Sequence, residues 1–209
     1  VSDARRLIRD ALVAVVGEKG YKATELSDVL QRAGADADEF HRHWPDLEDC
    51  FFEIWQGYKQ AFFDVTREGF ASADNWRDGM RAAAWRFGRF LQEDEVRARL
   101  FLIEFNYAGE RVRASRDVVM AQYAELIHRG NEIKPPDLPP VPHTQAEALI
   151  GAIWEGAVSR VLTGKFDEFP ELIPGAMYIT VLPYLGVEAA AEELQRGPAD
   201  IERYRRGEI

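Results

Sequence analysis

Few side chains in this 209-residue chain are spaced to do chemistry on their own. Glu125-Leu-Ile-His128 puts a carboxylate and an imidazole on one helix face. A di-iron or di-manganese bundle needs two such motifs and two further glutamates, and no second motif follows. His41 and His43 stand two residues apart, which sends them to different sides of a helix rather than onto one metal. Cys50 is the single cysteine, so neither an intrachain disulfide nor a cysteine-rich zinc site can form. A glycine-rich phosphate loop, a Gly-x-Ser-x-Gly nucleophile turn and an Asp-Asp-x-x-Asp cluster are all missing from the sequence. No catalytic residue, metal ligand or cofactor is expected. The chemistry to look for is recognition.

Residues 24–44 have the spacing for it: a helix, a tight glycine turn and a short second helix match a helix-turn-helix. Such a unit works because a first helix crossing the backbone holds a second one rigidly at the angle that enters the major groove. Thr24 is placed to cap the first of these helices, with Glu25 and Asp28 in its first turns and Leu26, Val29, Leu30 and Ala33 on its buried side. Gly34 permits the turn. The short helix runs from about Ala37 to Trp44, anchored by Phe40 and Trp44 four residues apart, and Pro45 stops it. Asp36 has the position of its N-cap.

The elements that must position this unit are helical throughout. Leu7, Ile8, Ala11, Leu12, Val15 and Val16 mark one face of a first helix that ends near Gly20. After Asp46, a plausible cap, a long helix carries Phe51, Ile54, Trp55, Tyr58, Phe62, Phe63 and Val65. Further helices are expected over 75–94, 95–108 and 110–133. Residues 134–143 hold five of the ten prolines and read as a stiff extended linker. Strongly apolar helices follow at about 144–163 and 170–185, then a charged peripheral helix interrupted near Gly197-Pro198. No alternating strand pattern and no internal repeat survives inspection. The fold class is all-α.

Composition sets the terms. Hydrophobic residues make up 46 % of the chain, enough for a substantial core and too many for disorder. The net charge of −10 repels nucleic acid as a whole, so any DNA contact must come from local cations. Residues 1–46 do not supply a surplus of them, with seven basic side chains against nine acidic ones. No apolar run in the sequence approaches the roughly 20 residues that span a bilayer. The opening Val1-Ser2-Asp3-Ala4-Arg5-Arg6 lacks the apolar stretch of a secretory leader, and a reducing cytoplasm is the expected location.

Gly20-Tyr21-Lys22-Ala23-Thr24, then Ala33-Gly34-Ala35, then Phe40-His41-Arg42-His43-Trp44-Pro45-Asp46-Leu47-Glu48 resemble the signature of the tetracycline-repressor (TetR) family of regulators. That signature has a Gly-Tyr/Phe-x-x-Thr opening, an Ala-Gly-Val turn and a Tyr-x-x-Phe ending before a Lys-Glu pair. The match runs in order and without gaps over about the first 55 residues. Three departures matter: His41 stands where the family usually has a phosphate-touching tyrosine, Leu47 where it has a lysine, and Asp36, Asp38 and Glu39 acidify the turn and reader. An acidic side chain can still accept from cytosine N4 in the groove.

The resemblance implies a helix-turn-helix domain at 1–46 and a helical effector-binding and dimerisation domain at 47–209. It implies operator DNA held by Thr24, Ala35, Asp36, Ala37, Asp38, His41, Arg42 and His43. It further implies a homodimer through the helices at about 144–163 and 170–185, with readers about 34 Å apart in successive major grooves. Repression released by a small apolar or aromatic effector is the expected mode. Trp55, Tyr58, Phe62, Trp85, Phe101, Glu104, Phe105 and Tyr107 are candidate effector contacts. Glu104 stands out because an unpaired carboxylate among Phe101, Ile103, Phe105 and Tyr107 would be costly; it either faces a cavity or pairs with an arginine such as Arg81 or Arg86. The alternative is a protein of this fold whose reader no longer binds DNA and which serves as a ligand- or partner-binding module.

Overall fold

The computed structural model describes residues 3–209; Val1 and Ser2, which open the stretch read as free of a secretory leader, lie outside the described residues. Among the described residues there are helices and turns and no strands. The helices are α1 (Asp3–Lys19), α2 (Leu26–Ala33), α3 (Ala37–His41), α4 (Leu47–Ala71), α5 (Trp76–Gln92), α6 (Glu95–Leu102), α7 (Glu110–His128), α8 (His143–Leu162) and α9 (Phe169–Arg205). Short 3-10 turns at Tyr21–Ala23, Glu104–Tyr107, Arg129–Glu132 and Phe166–Glu168 join some of them.

The chain packs as two compact units, residues 1–61 with 94–116 and residues 62–93 with 117–209. Packing therefore divides the chain elsewhere than at 46/47, the boundary expected for a DNA-reading domain, which stands as a proposal about function. In the first unit α1 buries Ile8, Leu12 and Val16 completely against α2, α3 and α6. Cys50, Phe51 and Trp55 of α4 are equally buried. Asp46 caps α4 as its position predicts, accepting from the Asp49 amide at 2.9 Å.

Several boundaries differ from the sequence reading, each for a local reason. Glu104 to Tyr107 forms a separate 3-10 turn instead of continuing α6. The helix predicted over 110–133 stops at His128 and tightens into the turn Arg129–Glu132. The proline stretch is not a free extended linker. The Asn131 side chain grips its far end, donating to the Val141 carbonyl at 3.0 Å and accepting from the Val141 amide at 2.9 Å.

The last helix is interrupted at Gly186, not near Gly197-Pro198. Gly186 has φ 83° and ψ 177°, a conformation open to glycine and strained for other residues. Gly197 has a steric role, because a Cβ there would sit 2.8 Å from Pro174 Cγ. By length and composition alone the stretch Phe166–Arg205 could cross a membrane. It is nevertheless broken at Gly186 and buries Phe169, Ile173, Met177 and Val181 in its unit, where it packs on α5 and α8.

Candidate nucleic-acid interface and ligand cavity

In the first unit, α2 begins with a reciprocal capping box between Glu25 and Asp28. Thr24 is not the cap expected of it, since its hydroxyl donates to the Gly20 carbonyl at 2.8 Å. Only Val29 of α2 is fully buried; Leu26, Leu30 and Ala33 are half-buried. Gly34 takes the left-handed conformation (φ 64°, ψ 33°) that ends the helix and opens the turn. Asp36 then caps α3 by accepting from the Glu39 amide at 2.8 Å. The predicted end at Trp44 is too long, for the helix closes at His41, and Pro45 bars the residue before it from helical geometry.

The short reader is held by its aromatic side. Phe40 and Trp44 are buried with ring centroids 5.6 Å apart, and the Trp44 indole donates to Glu53 at 2.9 Å. Burial pushes the Glu53 carboxyl up, but the hydrogen bonds from Trp44 and Arg5 and the charges of Arg5 and Arg9 outweigh it and hold the carboxyl below its ordinary value. That leaves Asp36, Ala37, Asp38, His41 and Arg42 exposed, with Thr24, Ala35 and His43 half-exposed. The eight residues expected to meet DNA thus lie in one short stretch and remain open to solvent to differing degrees.

The cations of this module are already engaged. Arg5 and Arg9 meet Glu53 at 2.6 and 3.6 Å, Arg6 meets Asp10 at 3.4 Å, Lys19 meets Asp28 at 2.5 Å, and Arg32 meets Glu18 at 2.6 Å. On the reader itself Arg42 pairs with Glu39, whose other oxygen lies 3.4 Å from His43 Nε2. Lys22 lies over the Tyr107 ring, 4.3 Å from its centroid.

Glu104 is 3 % exposed and belongs to the reader's support. One carboxylate oxygen accepts from the Tyr21 amide at 2.9 Å, the other from Arg99 at 3.2 Å. Its arginine is therefore Arg99. Arg81 binds Glu193 and Asp78, and Arg86 lies 3.7 Å from Glu68. By holding the first amide after Gly20, Glu104 fixes the turn that leads into α2. Trp55 stacks on Phe101 (centroids 5.4 Å, planes 21° apart) and lies near Phe105, so these rings are packing of the same unit. Tyr58 is half-buried there, and Tyr107 is 46 % exposed beneath Lys22.

Of the eight candidate effector contacts, then, six fall in the first unit and only Phe62 and Trp85 in the second. Trp85 packs on Tyr204, ring centroids 5.3 Å apart. Phe62 alone of the eight lines an uncharged cavity of the second unit, while Trp85 lines a separate, charged pocket there with Arg81, Arg89 and Asp200. The walls of the uncharged cavity include Phe87 of α5, Tyr123 of α7, Trp154 of α8, and Met177 and Thr180 of α9. No Asp, Glu, Lys, Arg or His lines it. The empty volume is about 750 Å³, open mouth included. Sequence reasoning missed most of this wall because its members are ordinary core types scattered over five helices.

Charges in this unit lie away from the cavity. Glu193 of α9, 2 % exposed, accepts from Arg81 at 2.7 Å and from Arg77, which also donates to the Ala189 carbonyl at 2.7 Å. Burial raises the Glu193 carboxyl, but the hydrogen bonds and charges of Arg81 and Arg77 prevail and hold it low. Among the described residues no group of three or more His, Cys, Asp or Glu side chains is placed to hold a metal ion. Of the Glu125–His128 pair, Glu125 lies 3.5 Å from His143 Nε2 and His128 Nδ1 lies 3.3 Å from the Asn131 amide nitrogen.

These features define an all-helical protein with an N-terminal helix-turn-helix and a larger helical part. Residues 8–54 match the family model described as bacterial regulatory proteins, tetR family. The fold is shared with the fatty acid degradation regulator FadR from Bacillus halodurans (17 % identity, 85 % of this chain and 96 % of that one, TM-score 0.69). It is shared also with a bacterial regulatory protein in the tetR family from Rhodococcus RHA1 (14 %, 86 % and 98 %, TM-score 0.68). FadR from Bacillus subtilis, solved with stearoyl-CoA, is a third (17 %, 87 % and 98 %, TM-score 0.66). No curated protein matches the sequence. Residues 8–54 are thus a TetR-family N-terminal module, and the chain as a whole shares the fold of these regulator structures.

Proposed function

We propose that this chain is a ligand-responsive, DNA-binding transcriptional regulator, a homodimeric repressor released from its operator by a small apolar effector. The observation that carries the DNA half is the exposed face of α3, where Ala37, Asp38, His41 and Arg42 are open to solvent while Phe40 and Trp44 pin the helix from behind. Held in this way, a short helix is presented to a groove without an ordering cost at binding. Asp38, Arg42 and His43 are the polar groups best placed to meet bases or backbone. Half-exposed Thr24 and Ala35 flank the phosphates.

The ion pairs of the module do not forbid this. Exposed pairs contribute little to stability, at most about 1 kcal/mol each, and a DNA phosphate can replace the carboxylate. Dimerisation is supported by α8, which keeps Ala148, Ala152, Ser159 and Leu162 exposed along one side, Leu162 at 64 %. Two readers are what a two-half-site operator requires. The uncharged cavity supports the effector half and its apolar class. Release requires that the effector bind the free state more tightly than the operator-bound one. Such a regulator works in the cytoplasm, where bacterial DNA lies.

The second reading, a module that has lost its DNA function, is favoured by the same ion pairs and by the acidic surplus of residues 1–46. Footprinting on the DNA upstream of the chain's own gene, at low salt, separates the two. A regulator protects a two-fold symmetric site and loses that protection in Arg42→Ala; a degenerate reader protects nothing.

A further inference from the structure

The charged pocket of the second unit lies across α5 from the uncharged cavity. Met80, Ala83, Ala84 and Phe87 of α5 line the cavity, whereas Ala82, Trp85, Arg86 and Arg89 line the pocket. At 3.6 residues per turn these two sets occupy opposite sides of the helix. The pocket's other wall is the far part of α9, through Arg196, Asp200 and Arg203, and its empty volume is about 1070 Å³, open mouth included. The guanidiniums of Arg81, Arg86, Arg89, Arg196 and Arg203 line it against the carboxylates of Asp78, Asp200 and Glu208. That balance runs against the net charge of −10 on the whole chain.

The arginines are not equally available. Arg81 is spent on Glu193 and Asp78. Arg89 donates to the Tyr204 and Ile209 carbonyls at 3.0 and 2.6 Å. Arg196 gives only its Nε proton to Asp200, at 2.8 Å, and keeps both terminal nitrogens unengaged among the described residues. Arg86 and Arg203 make no hydrogen bond among the described residues. Arg86 stands 3.7 Å from Glu68, and Arg203 stands 3.6 Å from Asp200 and from Glu208, all beyond hydrogen-bond reach. These three side chains are open to solvent, and the buried Asp200 lies beside two of them.

We infer that this pocket is a binding site for a small organic phosphate, gripped by Arg86 of α5 and by Arg196 and Arg203 of α9. A guanidinium presents paired N–H groups that match two oxygens of an anion. A phosphate monoester has three terminal oxygens and serves several such forks at once, whereas a carboxylate has two and saturates one. The long, exposed ion pairs of Arg86 and Arg203 yield to it at little cost. The apolar effector has no part in this site, so the inference stands apart from that reading.

Isothermal titration calorimetry of the whole chain at low ionic strength tests it with glycerol 3-phosphate, its carboxylate counterpart glycerate, and uncharged glycerol. Glycerol 3-phosphate is expected to bind about tenfold more tightly than glycerate, and glycerol not at all. Arg86→Gln and Arg203→Gln should each weaken phosphate binding about tenfold and together abolish it. Both replaced side chains are exposed, and an unchanged melting temperature checks that the fold is kept. Arg67→Gln removes the same charge from an exposed arginine of this unit that does not line the pocket, and should change affinity less than about twofold. Glycerate binding as tightly as the phosphate overturns the inference. So does an absence of binding, an affinity unchanged in both pocket variants, or an equal loss in Arg67→Gln, the mark of a diffuse field rather than a site.

Discussion

Charge is handled in opposite ways by the helix-turn-helix and by the α5–α9 contact of the second unit. Around the reader the ion pairs sit at the surface: the Arg42 side chain is 62 % exposed and that of Arg32 45 %. Between α5 and α9, the Glu193 side chain is 1 % exposed and that of Arg81 8 %. Water screens the first kind, so a phosphate can replace a carboxylate at little net cost. The second kind is shut away, and removing one partner strands the other. The same residue chemistry thus makes an exchangeable surface in one unit and a fixed brace in the other, beside a cavity that has no charge at all.

The largest effect should come from breaking the brace. Glu193→Ala leaves Arg77 and Arg81 without their shared carboxylate and is expected to cost about 3–5 kcal/mol in denaturant unfolding. Acid should act through the same group. The Glu193 and Asp78 carboxyls are held low in the folded protein, so their contribution is complete above the unfolded value of about 4.3 and is lost as pH falls through the folded one. Stability of Glu193→Ala measured down that range should fall less steeply than that of the parent. Parallel curves would remove the contrast.

Glu104→Leu comes next. It leaves the Tyr21 amide without its acceptor and is expected to cost about 1–3 kcal/mol, with faster hydrogen exchange at Tyr21 as the specific readout. An effect on ligand affinity with normal exchange would instead return Glu104 to the effector site. Asp36→Ala removes the α3 cap and should cost about 1 kcal/mol, visible as a lower melting temperature and weaker operator binding. The smallest change expected is a gain: Glu39→Gln frees Arg42 and should tighten operator binding about two- to fivefold at low salt. No change would mean that Arg42 does not meet DNA.

The sequence carried the helices and the reader because their signals are local. The Asp36 and Asp46 caps, the Gly34 turn and the Phe40–Trp44 anchor all act within a few residues, and each has the role its position predicts. Partners distant in the chain were not legible. Tyr21 and Glu104 are 83 residues apart, Arg81 and Glu193 112, and periodicity says nothing about which arginine a buried glutamate will reach. Aromatic density did not mark the uncharged cavity either, for a related reason. Trp55, Phe101 and Phe105 are as apolar as any pocket wall but pack on one another, while the space opens beside Thr66, Tyr123 and Thr180. Thr24 and Gly197 show the local limit, where a hydroxyl turned back to Gly20 and a glycine kept for contact with Pro174 took the place of a cap and a break.

On binding DNA, the reader's paired cations are expected to exchange carboxylates for phosphates. A salt titration of binding to the DNA upstream of the chain's own gene measures that exchange. A defined site is expected, with log affinity falling linearly against log salt at a slope steeper than about −4 for a dimer making several phosphate contacts, and steeper again in Glu39→Gln. A flat dependence, or no sequence-specific complex at the lowest salt, would contradict it.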